Sequence, residues 1–224
     1  MDSKNLKHVL TTNHLACEQD VKIISVETIG LIPQYGVTDK ALLEACSRLN
    51  MDGYLYKFPD GIRNVLEFMH KDLLSYLTAS YENLDTCKVP RIRDKISWLL
   101  KMCVRYHAAQ PAPQQLLKAV TRYNLQPANM RFSAFRAFEV ADTMWHLIND
   151  TSTTFSYYTK RTTLSTIYAL TLLHMSKDYS ENFVDTFSFI ERRVDNVISF
   201  HKIKNKMGAA AKKGLKLFDV KFDL

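Results

Sequence analysis

The stretch Pro59-Asp60-Gly61-Ile62-Arg63-Asn64-Val65-Leu66-Glu67-Phe68-Met69-His70-Lys71-Asp72-Leu73-Leu74-Ser75-Tyr76-Leu77 decides the fold class. Its residues Ile62, Val65, Leu66, Met69, Leu73 and Leu77 step at three and four, the spacing of one helix face, and Pro59 is pre-set for a helix start. The same period continues downstream. Val89-Pro90 punctuates, and Ile92, Ile96, Leu99, Leu100 and Cys103 mark the next amphipathic stretch. Gln110-Pro111-Ala112-Pro113 and Gln126-Pro127 read as turns. Phe135, Phe138, Ala141, Met144, Trp145 and Ile148 follow at helical spacing. The polar cluster Thr151 to Thr154 can then cap a helix running to about Met175. Phe183, Phe187, Ile190, Val194 and Ile198 form a last clean stripe. No strand-length alternation competes and no internal repeat is present, so the class is all-α.

Composition agrees. Of 224 residues, 46% are hydrophobic and 24% charged, which argues against wholesale disorder. Six Gly and six Pro are too few for a turn-rich β sandwich or barrel. No apolar run approaches the length of a membrane span, and Met1-Asp2-Ser3-Lys4-Asn5 resembles neither a signal core nor an Arg-rich transit peptide, so the expected setting is cytosolic, or the chain is already processed. Cys17, Cys46, Cys87 and Cys103 form no C-x-x-C pair and read as reduced, mostly buried thiols. The net charge of +7 is uneven: seven Lys against Asp219 and Asp223 lie between Phe200 and Leu224, leaving +2 for everything before. Such a tail suits phosphate, on nucleic acid or on lipid.

Four regions are expected: a flexible N-terminus over 1–12, a degenerate helix-turn-helix with a long connecting helix over 13–84, a helical bundle over 85–199, and a basic amphipathic helix over 200–224. Within the bundle, Leu164 to Met175 is apolar on nearly every side, as befits either a central core helix or the wall of a ligand pocket. In the tail, Phe200, Ile203, Met207 and Phe218 gather on one face while Lys202, Lys206, Lys212, Lys213 and Lys216 take the other, the pattern of a helix lying on an anionic bilayer.

Between Tyr35 and Asp60, Thr38 is placed to cap a short helix, and a second short helix ends at a Tyr54-x-x-x-Phe58 corner. This resembles the N-terminal module of tetracycline-repressor-like regulators. A ligand-responsive DNA-binding repressor is therefore the alternative reading. The charge opposes it: from Pro33 to Asp72, Lys40, Arg48, Lys57, Arg63 and Lys71 are outnumbered by Asp39, Glu44, Asp52, Asp60, Glu67 and Asp72, whereas a duplex reader needs several phosphate contacts per module.

Two motifs are more telling. One is Asp150-Thr151-Ser152-Thr153-x-Phe155-x-Tyr157-Tyr158-Thr159-Lys160-Arg161; the other is Phe189-Ile190-Glu191-Arg192-Arg193-Val194, preceded by Asp185-Thr186. Both resemble the lipid-binding accessory proteins of coenzyme Q (ubiquinone) biosynthesis, the family of the ninth yeast coenzyme Q protein, whose fold is similar to the repressors. The resemblance implies a non-catalytic protein with an apolar pocket for an isoprenoid quinone precursor or phospholipid. It further implies presentation of the precursor to the di-iron 5-demethoxyubiquinone hydroxylase, and a C-terminal amphipathic helix on the membrane. The expected location is peripheral, on the inner face of the cytoplasmic membrane or on the matrix side of the mitochondrial inner membrane. By position, the implied partner surface falls on Met144, Leu147, Thr154, Tyr157 and Tyr158. The family commonly has Asp at Thr154 and often Trp at Tyr157, so one polar contact is lost while an aromatic is kept. A homodimer is expected by analogy with repressor folds.

The residues add their own constraints. Adjacent helical positions point about 100° apart, so one of Tyr157 and Tyr158 is expected at the surface. Lys160 and Arg161 read as solvated, or as capping a turn, with Asp150 or Asp142 as possible partners of Arg161. Phe138, Trp145, Tyr168, Leu172 and Phe187 are the candidate lipid-lining residues. Glu67-x-x-His70 has di-iron ligand spacing but occurs once, where a carboxylate bundle needs it twice. No G-x-S-x-G elbow, Walker loop or dinucleotide turn occurs, and no catalytic, cofactor or metal residue is expected.

Overall fold

The computed structural model describes residues 3–85 and 89–195, with side chains from residue 18 onward except Asp52, Tyr54 and Thr154. Among these every regular element is helical: α1 (Ser3–Tyr35), α2 (Asp39–Arg48), a 3₁₀ turn (Asp52–Lys57), α3 (Ile62–Glu82), α4 (Ile92–Ala108), α5 (Pro113–Asn124), α6 (Pro127–Leu147), α7 (Thr154–Met175), a short 3₁₀ turn (Glu181–Phe183) and α8 (184–195). The arrangement is an all-α bundle of the tetracycline-repressor-like type. Its apolar core is built from the predicted stripes: Val65, Leu66, Leu73 and Leu77 of α3 meet Leu99, Leu100 and Cys103 of α4, with Ala141 and Met144 of α6, Leu164 of α7 and Ile190 of α8 closing over them. Helix α6 packs along α7, α3 touches both α4 and α6, and α5 contacts α7.

Helix α1 ends as its sequence dictates. Pro33 falls in its last turn, and Gly36 takes φ +74°, donating its N–H to Ile32 O at 2.8 Å, a left-handed stop that glycine adopts without steric cost. At its other end α1 begins at Ser3, so the 1–12 segment expected to be flexible is helix from its third residue; no Gly or Pro interrupts the chain before Gly30.

Three further expectations are corrected here. Thr38 occupies the cap position of α2, yet its hydroxyl donates back to Tyr35 O at 3.2 Å rather than capping forward. Helix α3 starts at Ile62 instead of Pro59. The reason lies in α2: Asp39 Oδ1 accepts the Ile62 N–H at 2.8 Å, with Gly61 at φ +56° passing so close to that carboxylate that a Cβ would stand 2.2 Å from it. Finally, the second helix of the repressor-like module is only the six-residue 3₁₀ turn, roughly 12 Å long, and not an α-helix presenting a reading face.

Cys46 and Cys103 are buried and form no disulfide, as expected; burial pushes the Cys103 thiol far up, to an inert state. Glu67 and His70 do not face each other as a ligand pair. Glu67 accepts from Arg136 Nη2 at 2.9 Å and His70 Nε2 meets Glu139 at 3.1 Å, so both stitch α3 to α6. No helix among the described residues is long and apolar enough to cross a membrane.

Candidate functional site: a cavity between α3, α4 and α5–α7

Helices α5, α6 and α7 stand over α3 and α4 without filling the space between them. The cavity left is about 590 Å³, within the range of small-molecule sites. Leu66, Met69 and Leu73 of α3 line it, with Leu117 and Val120 of α5 and Val140 of α6. Its rim carries aliphatic side chains exposed to solvent: Leu125, Met130, Leu170 and Leu173. This aliphatic rim opens the apolar volume to the surface.

Helix α7 supplies one wall because of how it handles its polar residues. Ser165 and Thr166 both donate to Thr162 O at 2.9 Å, and the buried Thr171 donates to Ile167 O at 2.8 Å. With these hydroxyls returned to the helix backbone, α7 presents an effectively apolar face. Both readings of Leu164 to Met175 hold in part. Leu164, Ile167, Tyr168 and Met175 are buried, whereas Leu170 and Leu173 remain 40% exposed at the cavity.

Of the five candidate lipid-lining residues, the structure brings Tyr168 and Leu172 to the cavity. Phe138, Trp145 and Phe187 are half-buried and do not line it. Trp145 instead donates its indole N–H to Lys160 O at 3.3 Å, with the Lys160 ammonium 4.9 Å from its ring. Phe187 packs against the core from α8. Helical spacing shows which residues share a face but not which part of that face meets a neighbour and which meets a void.

A second feature is the α6–α7 corner. Asn149 adopts φ +58° and donates to His146 O at 2.9 Å, and Asp150 N–H reaches Trp145 O at 3.0 Å; together these close α6 in a Schellman turn. That turn aims the Asp150 carboxylate inward, where it is 8% exposed. It accepts from Lys160 Nζ at 2.7 Å, from Arg161 Nη1 at 3.4 Å and from the Ser152 hydroxyl. Burial pushes this carboxyl up, but the Lys160, Ser152 and Arg161 bonds outweigh it and hold the group below its ordinary range. Arg161 is itself buried. It pairs with Asp142 as well as Asp150 and lies 3.4 Å from the Tyr157 ring centroid, while the Tyr157 hydroxyl donates to Asp142 at 3.0 Å. Of the readings open for Arg161, pairing with Asp142 and Asp150 holds and solvation does not: the side chain ties α6, the turn and α7 into one polar knot.

This knot sorts the implied partner residues. Met144 is fully buried and cannot be an exposed anchor, a correction that follows from its packing in the main core cluster. Leu147 is half-buried against the same core. The Thr154 side chain lies outside the described residues. Tyr157 is turned onto Arg161, and Tyr158, 64% exposed, stands edge-on to it at 5.2 Å. Phe155, 75% exposed, sits three residues before Tyr158 on the same helix face. Sequence reading passed it over as a motif constant.

The second motif holds α8. Asp178, near the start of the α7–α8 connection, accepts from Ser180 N–H at 2.8 Å and its hydroxyl at 2.6 Å, and from Thr186 N–H at 2.8 Å and its hydroxyl at 2.5 Å. Glu191 of α8 accepts from Ser97 at 2.6 Å and pairs with Lys101 at 2.6 Å, both on α4. Lys202, Lys206, Lys212, Lys213, Lys216, Phe200, Ile203, Met207 and Phe218, the expected membrane face, lie outside the described residues.

Fold and cavity define a repressor-like helical bundle with a mostly apolar cavity, in which a 3₁₀ turn stands where a recognition helix would. The family model described as COQ9 matches residues 130–201, which span α6, the polar corner, α7 and α8. "Ubiquinone biosynthesis protein coq9, mitochondrial" of Schizosaccharomyces pombe is 27% identical over 179 residues, covering 78% of this chain and 68% of that protein. "Ubiquinone biosynthesis protein COQ9, mitochondrial" of Homo sapiens is 27% identical over 187 residues, 79% of this chain and 57% of the human protein. The rat protein of the same name is 27% identical over 193 residues, 81% and 60%. Along α6 to α8 the chain matches the COQ9 family model, and over about four fifths of its length it is similar to these COQ9 proteins, as the two motifs implied. It spans about two thirds of the fission yeast relative and somewhat over half of the human and rat ones.

Proposed function

We propose that this chain is a non-catalytic lipid-binding protein of ubiquinone biosynthesis. It takes an isoprenoid quinone precursor from the membrane and presents it to the 5-demethoxyubiquinone hydroxylase. The observation that carries this reading is the cavity of about 590 Å³ with its exposed aliphatic rim; the relatives' names supply the pathway, and their mitochondrial designation makes the matrix side of the inner membrane the proposed location. The mechanism is physical. A prenyl tail gains little on passing from bilayer to protein, since each methylene is kept from water, at about 0.8 kcal/mol, in both. What changes is access to the head group.

The proposed docking surface is the outer face of the first turns of α7, with Tyr158 and Phe155 as aromatic anchors. Tyr158→Ala is expected to weaken hydroxylase binding by about 2 kcal/mol, some thirtyfold, in a pull-down or calorimetric titration. The melting temperature should stay within a degree or two of the parent, because the ring is 64% exposed. Unchanged hydroxylase affinity would move the surface elsewhere.

Membrane attachment is assigned to the basic segment over 200–224. Each Lys near an anionic bilayer contributes about 1 kcal/mol, and Phe200, Ile203, Met207 and Phe218 would enter below the head groups. Deleting 200–224 is expected to abolish sedimentation with anionic liposomes while the helical bundle keeps its circular dichroism. Undiminished sedimentation would place the membrane contact on another face.

A further inference from the structure

The cavity lining includes a buried polar side chain whose ring nitrogens meet no partner among the described residues. His107, in the last turn of α4, is 3% exposed, lines the cavity, and has no hydrogen-bond partner on either ring nitrogen among the described residues. Several of its lining neighbours are occupied. Ser133 donates to Asn124 Oδ1 and Asn129 O at 2.9 Å each, Ser165 and Thr166 donate to Thr162 O, and His70 is joined to Glu139. Arg136 keeps a buried, unpaired Nε, but its guanidinium lies 4.0 Å from the Phe132 ring and its charge is met by Glu67 at 2.9 Å. A buried imidazole without a partner keeps the desolvation cost of its unmet polar atoms, and a ligand that meets one of them recovers part of that cost.

We propose that His107 is the head-group anchor of the cavity, binding the hydroxyl or carbonyl oxygen of an uncharged amphiphile whose apolar tail runs out past Leu125, Met130, Leu170 and Leu173. This rests on the lipid-binding reading and adds to it the ligand's charge and orientation. A neutral imidazole offers one N–H donor and one lone pair on opposite edges of the ring; a hydroxyl can accept from the first or donate to the second, and a carbonyl can only accept. It offers no positive charge. Burial drives His107 down to a pKa of about 4, and His70 is also held down, chiefly by burial, so neither imidazole supplies a cation at neutral pH. Arg136 is already paired. A phosphate head would therefore enter without a free counter-charge and lose its hydration, which disfavours phospholipids and prenyl phosphates relative to phenols, quinones and alcohols.

The test uses the full chain, freed of bound lipid, with three probes of one carbon skeleton: farnesol, the hydrocarbon farnesene and farnesyl monophosphate. Parent protein is expected to bind farnesol on the order of tenfold more tightly than either of the others. In His107→Leu, farnesol and farnesene should converge to within about twofold with farnesene affinity retained, and His107→Gln should keep a preference for the alcohol. Nitrogen-15 resonances of the His107 ring in the unmutated protein should shift on adding farnesol, a readout independent of how the variants fold. If all three probes bind alike, and neither His107→Leu nor the ring resonances respond, the anchor is wrong while the lipid site stands. If no probe binds, the lipid site falls and the anchor with it.

Discussion

Arg161→Leu is expected to destabilise the fold by about 3 kcal/mol, lowering the thermal midpoint by roughly 6–12 °C. The substitution removes the one side chain that touches Asp142, Asp150 and the Tyr157 ring together. It strands the Asp150 carboxylate, 8% exposed, with Lys160 and Ser152 as its remaining partners. Removing one member of a buried ionic cluster costs more than the cluster was worth, because the surviving charge keeps its desolvation penalty. Arg161→Lys should recover only part of the loss, since an ammonium cannot bond two carboxylates in one plane and stack on a ring. A midpoint within about 2 °C of the parent for Arg161→Leu would show that the corner is solvated and not a structural knot.

His107 sets the second large effect, in acid. Its folded pKa of about 4 lies below the ordinary 6.5 because burial penalises the imidazolium. Between these two values the unfolded chain binds a proton that the folded chain refuses. Stability is therefore fully present above pH 6.5 and falls as the pH drops toward 4, by up to about 3 kcal/mol from this group. His70, held down mainly by burial, contributes in the same direction. The carboxylates of Asp150, Asp178, Glu67 and Glu191 are held below their ordinary values, so their stabilisation is lost mainly at lower pH still. Denaturant titrations at half-unit steps from pH 7 to 4 separate the terms: His107→Leu should flatten the dependence between 6.5 and 4. Parallel curves for the two proteins would mean that water or a neighbour stabilises the charged ring.

The helical stripes were legible because period alone decides them. Each of Ile62, Val65, Leu66, Met69, Leu73 and Leu77 is buried, as are Ile96, Leu99, Leu100 and Cys103. The same arithmetic failed where a residue's fate depends on an element far away in sequence. Ile92 belongs to its stripe but lies in the first turn of α4 and is 59% exposed, and Phe135 in α6 is equally exposed. The start of α3 is fixed by Asp39, over twenty residues upstream, which no local signal reveals. The corner motif was recognised as a string, yet its physical role needed the Schellman turn at Asn149, which turns Asp150 inward and makes Arg161 a buried cation. Spacing put Tyr157 and Tyr158 on different faces, and the structure shows that Asp142 and Arg161 choose which one is held. His107 gave no signal at all: a lone histidine at a helix end stands out only once its surroundings are seen to be a cavity.

The central claim is that this cavity carries an isoprenoid lipid. Native mass spectrometry of the full chain after gentle extraction, with fragmentation of whatever is released, tests it directly. The expected spectrum shows a substoichiometric to one-to-one complex whose released mass fragments as a prenylated phenol or quinone without phosphorus. A spectrum of bare protein alone, from preparations in which that lipid is abundant, would contradict the account.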